Sequence, residues 1–301
     1  MPDLPILTNC FPNAVSMTVQ STRSYVLGHS DTELRQLERQ GALYAEYTDD
    51  MMRRAGIGAG MRVLDVGCGA GDVALQAARL VGPSGGVLGI DRAPEPLAIA
   101  SARAQATDLD WCRFKLTAIE EFGSSEPFDA VVGRLVLMYV ADPAAALRNL
   151  VRSLRPGGIV AFQELEVSSA HAVPDGPLVT QATTWVMEAL RRAGAEIDMG
   201  PKLFATFRKA GLPEPQMIGT ISVISGESPG YENLTGLVRA ALPAIERFGI
   251  ATAAEIGIDT LEDRLREEAV TGHRIFLFPP LFSAWTRVPD NPSRDSGQPY
   301  R

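Results

Sequence analysis

A chain of 301 residues, 46% hydrophobic and 21% charged, is long enough for one or two domains and has the make-up of a soluble globular protein with a real core. Its net charge of −8, with no run of Lys and Arg, argues against a nucleic-acid partner, because affinity for a phosphate backbone rests on clustered cations. Three scattered cysteines (Cys10, Cys68, Cys112) without a CxxC pair, and three scattered histidines (His29, His171, His273), argue against a disulfide framework or a metal site.

The opening MPDLPILTNCFPNAV lacks the basic and then apolar regions of a signal peptide. No apolar run approaches the roughly 20 residues that a membrane span needs. The expectation is a cytoplasmic protein with no membrane partner. Residues 1–22 read as an irregular arm. Ser30 and Glu33 fit a capping box, and behind them Leu34, Leu37, Tyr44, Tyr47 and Met51 recur at helical spacing, predicting a helix over 31–55.

Strands and helices then alternate. RVLDV (62–66) predicts a strand and DVALQAARLV (72–81) a helix. GVLGID (86–91) predicts a strand, and PEPLAIASARAQA (94–106) a helix whose prolines sit in the tolerant first turn. WCRFKL (111–116) and FDAVVG (128–133) predict strands. Asp142-Pro143 opens a helix with Leu147, Leu150, Val151 and Leu154 on one face, ended by Pro156-Gly157-Gly158. IVAFQEL (159–165) predicts a strand. The strand centres are continuously apolar, as they are when helices cover both sheet faces. The order predicts a parallel, doubly wound α/β sheet.

The second half is less regular. Helical patterns fall at 177–193 and 201–210, a strand at 215–225, and helices at 231–248 and 252–270. FLFPPLFSAWTRV (276–288) predicts two short segments, because Pro279-Pro280 cannot sit in a central ladder. The tail from Pro289 is polar and reads as disordered.

Ligands of doubly wound sheets sit at the carboxyl ends of the strands. The first strand-to-helix turn carries Gly67, Gly69 and Gly71, spaced G-x-G-x-G. A dinucleotide fingerprint would read G-x-G-x-x-G, and a P-loop would add Lys and Ser or Thr. The next strand ends at Asp91, where a carboxylate can accept hydrogen bonds from both ribose hydroxyls. The pair reads as a nucleoside site without a 2′-phosphate.

Here the sequence resembles the class I S-adenosylmethionine-dependent methyltransferases. VLDVGCGAGDVAL is similar to their first motif and GIDRAP to their second. LTAIEEF (116–122), PFDAVVGRLVLMYVADP (127–143) and LRPGGIVAFQE (154–164) resemble the later motifs in order and spacing. YVLGHSDTELRQLERQ (25–40) and PPLFSAWTRV resemble a bacterial small-molecule subgroup. The resemblance implies a Rossmann-like methyltransferase fold, a seven-stranded, mostly parallel sheet with an N-terminal helix. It would be one domain over 23–288, with helical lid insertions at about 166–213 and 226–272.

The resemblance also implies a cofactor, S-adenosyl-L-methionine, and roles for particular residues. Asp65 would orient the glycine loop, and Gly67 and Gly69 would face the methionine moiety. Asp91 would bind the ribose, and Arg92 would lie beside the adenine. Ala118 and Ile119 would sit against the adenine edge. Thr117 stands where many relatives have Asp, so the usual carboxylate contact to the adenine amino group does not carry over. Arg134 and Leu135 would pass beneath the methionine end, and Tyr25 would close over the cofactor.

Residues 133–136, Gly-Arg-Leu-Val, lack the Asn/Asp-Pro-Pro-aromatic motif of DNA and amide N-methyltransferases. They also lack the acidic ligand of catechol enzymes and the Cys nucleophile of cytosine C5 enzymes. A small-molecule acceptor remains, methylated at C, N or O. Trp185, Met187, Met199, Phe204, Phe207, Leu237, Leu242 and Phe248 could supply either core contacts or an apolar acceptor pocket. Candidate general bases are His171, Glu164, Glu166, Tyr139 and His29. Other readings stay open: a non-methylating protein on the same cofactor fold, either a binding module or a cyclisation catalyst, and an NAD-dependent oxidoreductase, which the glycine spacing disfavours. The oligomeric state stays open too.

Overall fold

A computed structural model describes residues 31–226 and 230–290, with side chains from Gly41 onward apart from Ala42. The predicted arm over 1–22, Ser30 of the capping box, Tyr25, His29 and the tail beyond Asp290 lie outside the described residues.

The first half follows the predicted alternation. Helix α1 (Asp31–Ala55) leads to β1 (Arg62–Val66), α2 (Asp72–Val81), β2 (Gly86–Asp91), α3 (Pro94–Ala106), β3 (Cys112–Leu116), β4 (Phe128–Arg134), α4 (Pro143–Val151) and β5 (Leu154–Leu165). The second half adds β6 (His171–Val173), α5 (Pro177–Arg192), α6 (Met199–Lys209), β7 (Gln216–Thr220), β8 (Val223–Ser225), α7 (Tyr231–Arg247), α8 (Ala253–Ile256), α9 (Leu261–Thr271), β9 (Ile275–Leu277) and β10 (Leu281–Arg287).

Seven strands form one sheet in the order β3-β2-β1-β4-β5-β10-β7. Within it only β10 runs against its neighbours. The chain passes outward from β1 through β2 to β3, then returns to place β4 on the other side of β1. That reversal opens a crevice beyond the carboxyl ends of β1 and β4.

Alternate residues of each central strand serve opposite layers. Val63, Ala130, Val132, Ile159 and Ala161 pack against Ala74, Ala77, Ala78 and Val81 of α2 and Met51 and Met52 of α1. Leu64, Val66, Val131, Val160 and Phe162 face the second layer, with Leu147 and Leu150 of α4 and Leu203 and Phe207 of α6. This double burial is why the strands read as continuous apolar runs. Helices α5, α7 and α9 pack on one another, and α7 also packs on α1.

Four elements differ from the sequence reading. Helix α4 stops at Val151, and Leu154 instead pairs with Phe128 at the start of β5, beside an irregularity in the β4–β5 register. The predicted strand over 215–225 breaks at Ile221-Ser222, sending β7 to the main sheet and β8 to a small one. The helix predicted over 252–270 is two helices, because Gly257 at φ 61 ends α8. Strand β6 had no sequence signal. It forms a three-stranded antiparallel sheet with β9 and β8, in the order β6-β9-β8.

Candidate active site

The turn after β1 is built from backbone. Gly67, Gly69 and Gly71 all hold positive φ, which L side chains rarely adopt. At Gly67 the need is doubled. A Cβ there would stand 2.4 Å from Val136 Cγ2, across the crevice on the segment that follows β4. The loop is tied to β2 by Asp91, whose Oδ2 accepts from Gly69 N at 2.9 Å, while Oδ1 accepts from Ala93 N at 3.0 Å. Both Asp91 oxygens keep a lone pair for a further donor.

Asp65 lies beneath the loop, buried on β1. It takes the Ala74 N–H, and its Oδ2 has no hydrogen-bond partner. Burial pushes its pKa up to about 8, against the pull of the Arg134 guanidinium and the Ala74 amide. Arg134, at the end of β4, is itself buried. Its Nη1 donates to Thr48 Oγ1 at 3.0 Å, and its Nη2 stands 3.8 Å from Asp72 Oδ2. Burial lowers its pKa, while Asp72 and Asp65 oppose that shift. Asp72 also receives Arg103 Nη1 at 2.8 Å, so α2 begins with a carboxylate held between two guanidinium groups.

Thr48 carries this network into the core. Its hydroxyl donates to Gln163 Oε1 at 2.7 Å, and Gln163 Nε2 donates to Ser283 Oγ at 2.8 Å. Helix α1 is thereby fastened to β5 and β10 through buried polar groups that satisfy one another.

The segment after β4 is held from below. Leu135 sits at φ 55, a conformation a β-carbon disfavours. The next residues turn through a short 3₁₀ helix, Leu137–Tyr139. Glu164 Oε1, on β5, accepts from Val136 N at 3.0 Å and Leu137 N at 2.6 Å. Its Oε2 is buried without a partner, and burial raises its pKa to about 8.

These parts surround a cavity of about 240 Å³. Its lining includes Asp65, Gly67, Gly69, Asp91, Arg92, Thr117, Ala118, Ile119, Arg134 and Leu135. The structure thus brings together every described residue that the sequence assigned to the cofactor. The same lining has a largely apolar set, Met138, Tyr139, Val140, Leu165, Val167, Val186, Leu190, Leu237, Phe278 and Pro279.

The candidate bases separate. Tyr139 lines the cavity. Glu164 is buried behind the 135–139 segment with its carboxylate engaged by backbone, and it does not line the cavity. Glu166 also lies outside the lining, at the turn before Val167. His171 is exposed on β6, with Nδ1 2.8 Å from Ser169 O, because the unforeseen small sheet draws it away from the crevice.

Of the lid aromatics and apolar residues singled out from sequence, Leu237 reaches the lining. Trp185, Met199 and Phe207 are core, and Phe204 is exposed. Sequence reasoning missed Val186 and Leu190, four apart on α5, along with Val136, Phe278 and the acid Asp72. The i,i+4 apolar spacing was the available signal for the first two. Among the described residues no group of His, Cys, Asp or Glu could hold a metal ion. No helix among them is long and apolar enough to cross a membrane.

The cavity fits S-adenosylmethionine. The ribose would meet the Asp91 oxygens, and the side-chain-free face of Gly67 and Gly69 allows close approach. The orphaned Asp65 oxygen and the Arg134 guanidinium are polar groups that an amino-acid moiety would meet. The loop has no Lys to hold a triphosphate.

Comparison with known proteins agrees. Residues 57–199 match a family described as a methyltransferase domain. The chain is 33% identical over 136 residues to the ubiquinone biosynthesis O-methyltransferase of Acinetobacter baumannii, covering 44% of this chain and 55% of that one. It therefore spans little more than half the length of that curated relative. The fold resembles the YcgJ protein of Bacillus subtilis, with a TM-score of 0.53 at 18% identity, over 82% of this chain and 100% of that one. It also resembles the phosphoethanolamine N-methyltransferase 2 of Haemonchus contortus, solved with phosphomonomethylethanolamine and S-adenosylhomocysteine. There the TM-score is 0.50 at 19% identity, over 82% of this chain and 53% of that one. Residues 57–199, a little under half of the chain, are thus similar to a methyltransferase domain, and the strand order and the glycine loop facing Asp91 agree with that similarity.

Proposed function

We propose that this protein is a cytoplasmic enzyme that transfers a methyl group from S-adenosylmethionine to a C, N or O atom of a small, partly apolar acceptor, in a biosynthetic role. The observation that carries the reading is the mixed lining of the cavity. We take the glycine loop, Asp91 and Arg134 as its polar end, and the lining residues of α5, α7 and the Phe278-Pro279 turn as its apolar end. Small-molecule sites have this make-up, a mostly apolar wall with a few placed polar groups. The curated relative's name, an O-methyltransferase of ubiquinone biosynthesis, supports an apolar acceptor and a biosynthetic role.

Bound S-adenosylmethionine supplies a methyl group already activated on a sulfonium. The protein's task is then orientation and exclusion of water, which can supply several kcal/mol toward the barrier. Asp91 and the loop amides fix the nucleoside end. Arg134 and Asp65 hold the amino-acid end. Val186, Leu190 and Leu237 shape the acceptor chamber, and Tyr139 lines the same cavity. Tyr139 is the candidate to orient the acceptor atom or take its proton.

Isothermal titration with S-adenosylmethionine, S-adenosylhomocysteine and NAD tests the cofactor. A panel of phenols, amines and activated-carbon acceptors, scored by S-adenosylhomocysteine release, tests the reaction. The reading predicts binding of the first two ligands, none of NAD, and turnover with an apolar member of the panel. Cofactor binding with no turnover across the panel would favour a non-methylating protein on this fold.

A further inference from the structure

We infer that Glu164 is a positioning residue, a buried clamp that sets the backbone of residues 135–139 and through it the alignment of the two ends of the cavity; the alignment half of this rests on the methyl-transfer reading above.

The segment it holds belongs to both ends at once. Leu135 and Val136 line the cavity beside the glycine loop, with Val136 packed where a Gly67 side chain would be. Met138, Tyr139 and Val140 line the apolar chamber only a few residues later. The segment leaves β4 through the strained Leu135 and has no partner strand of its own. Backbone hydrogen bonds hold it on either side. Leu135 N donates to Gln163 O at 2.8 Å, and Glu196 N donates to Met138 O at 2.8 Å. Between them, Val136 N and Leu137 N both donate to the same Glu164 oxygen. A carboxylate taking two adjacent amides acts as a substitute for the missing strand, and it fixes the turn at the point where the chain crosses from one end of the cavity to the other.

Glu164 was a candidate base from sequence, and the two roles separate by geometry. Its carboxyl is fully buried and does not line the cavity. A base must reach the proton it removes. A clamp needs only an oxygen in place, and an amide oxygen serves as well as a carboxylate.

The test uses Glu164→Gln, Glu164→Asp and Glu164→Leu in the full chain. Amide hydrogen exchange at Val136 and Leu137 is read in the ligand-free protein, and S-adenosylhomocysteine affinity by titration. The clamp predicts near-wild-type exchange and affinity for Gln. It predicts exchange and affinity loosened by about tenfold or more for Leu, the scale of leaving buried amides without an acceptor. Asp, too short to reach, should behave like Leu, and it carries the test if Leu does not fold. With an acceptor in hand, Gln should keep both kcat and the pH profile.

Equal loss in Gln and Leu, or a Gln variant with its kcat abolished and affinity intact, would overturn the clamp. So would unchanged exchange in both Asp and Leu. If the wild-type protein binds no S-adenosylhomocysteine, the methyl-transfer reading fails, while the exchange measurement still decides the clamp.

Discussion

Replacing Gly67 by alanine should injure the protein twice, and the two injuries can be separated. The first is conformational: φ at Gly67 is +64°, and forcing an L residue there costs about 1–2 kcal/mol. The second is steric. The new Cβ would stand 2.4 Å from Val136 Cγ2 and 3.0 Å from its Cβ, so one wall of the crevice must move, at about 1–3 kcal/mol. Together the loss should be about 2–5 kcal/mol. Val136→Ala removes the worst contact and leaves the Cβ at 3.0 Å. In that background Gly67→Ala should show the conformational part and a small steric remainder, giving a favourable coupling of about 1–3 kcal/mol. Urea unfolding of the four proteins, with m-values compared to exclude denatured-state effects, measures the cycle. Titration with S-adenosylhomocysteine should report weakened binding in Gly67→Ala that the double variant partly restores. A single variant within about 0.5 kcal/mol of wild type, or a cycle that is additive within that margin, would refute the contact between loop and segment.

Asp91→Ala should reduce cofactor affinity by about 1.5–3 kcal/mol, the scale of hydrogen bonds to a charged group, and should loosen the Gly69 amide in hydrogen exchange. An unchanged titration would remove Asp91 from the ribose site. Thr48→Val should destabilise the fold by about 1–3 kcal/mol, because Arg134 Nη1 and Gln163 Oε1 are left buried without a partner. Thermal unfolding measures this, and a neutral result would mean that the network has rearranged around the loss.

The pH dependence has a definite sign. Asp65 and Glu164, with pKa values raised to about 8 by burial, hold protons that the unfolded chain has already released. Stability should therefore fall as pH rises from the ordinary carboxylate range toward 8, each group contributing on the order of a few kcal/mol. Glu164→Gln should flatten the curve, as read from urea midpoints at pH 6 and 9. A stability that stays flat across this window would show that both carboxylates are ionised when folded.

Much of the polar lining of the cavity was legible because its residues are local. Val63 to Val66, Gly67 and Gly69 lie within one strand and turn, and Asp91 ends the very next strand. Each element's own periodicity and turn chemistry suffices there. The apolar lining was not legible, because Val186, Leu190, Leu237 and Phe278 come from separate elements. An apolar residue on an amphipathic helix looks the same whether it faces a core or a chamber. His171 shows the reverse failure. Its three-residue strand pairs with β9, far along the chain, and nothing local announces that pairing. The Thr48–Gln163 bond spans 115 residues, beyond the reach of any local pattern.

The placement of β10 carries a consequence for how this chain acquires its shape on the ribosome. The five parallel strands β1 to β5 are complete once Leu165 has been synthesised, and with them the glycine loop, Asp91 and the Glu164-held turn. Strand β7, the next strand of this sheet to be made, has nothing to join, because its partner among the described residues is β10, some sixty residues downstream, as the Leu281–Thr220 pairing records. Until Arg287 has left the exit tunnel, β5 presents an open, apolar edge and β7 waits unpaired. Long-range pairings of this kind form slowly and leave exposed edges at risk of aggregation. The addition of β10 is therefore the step that shields the sheet, and a ribosome stalled before it would release a nascent chain with an unprotected flank.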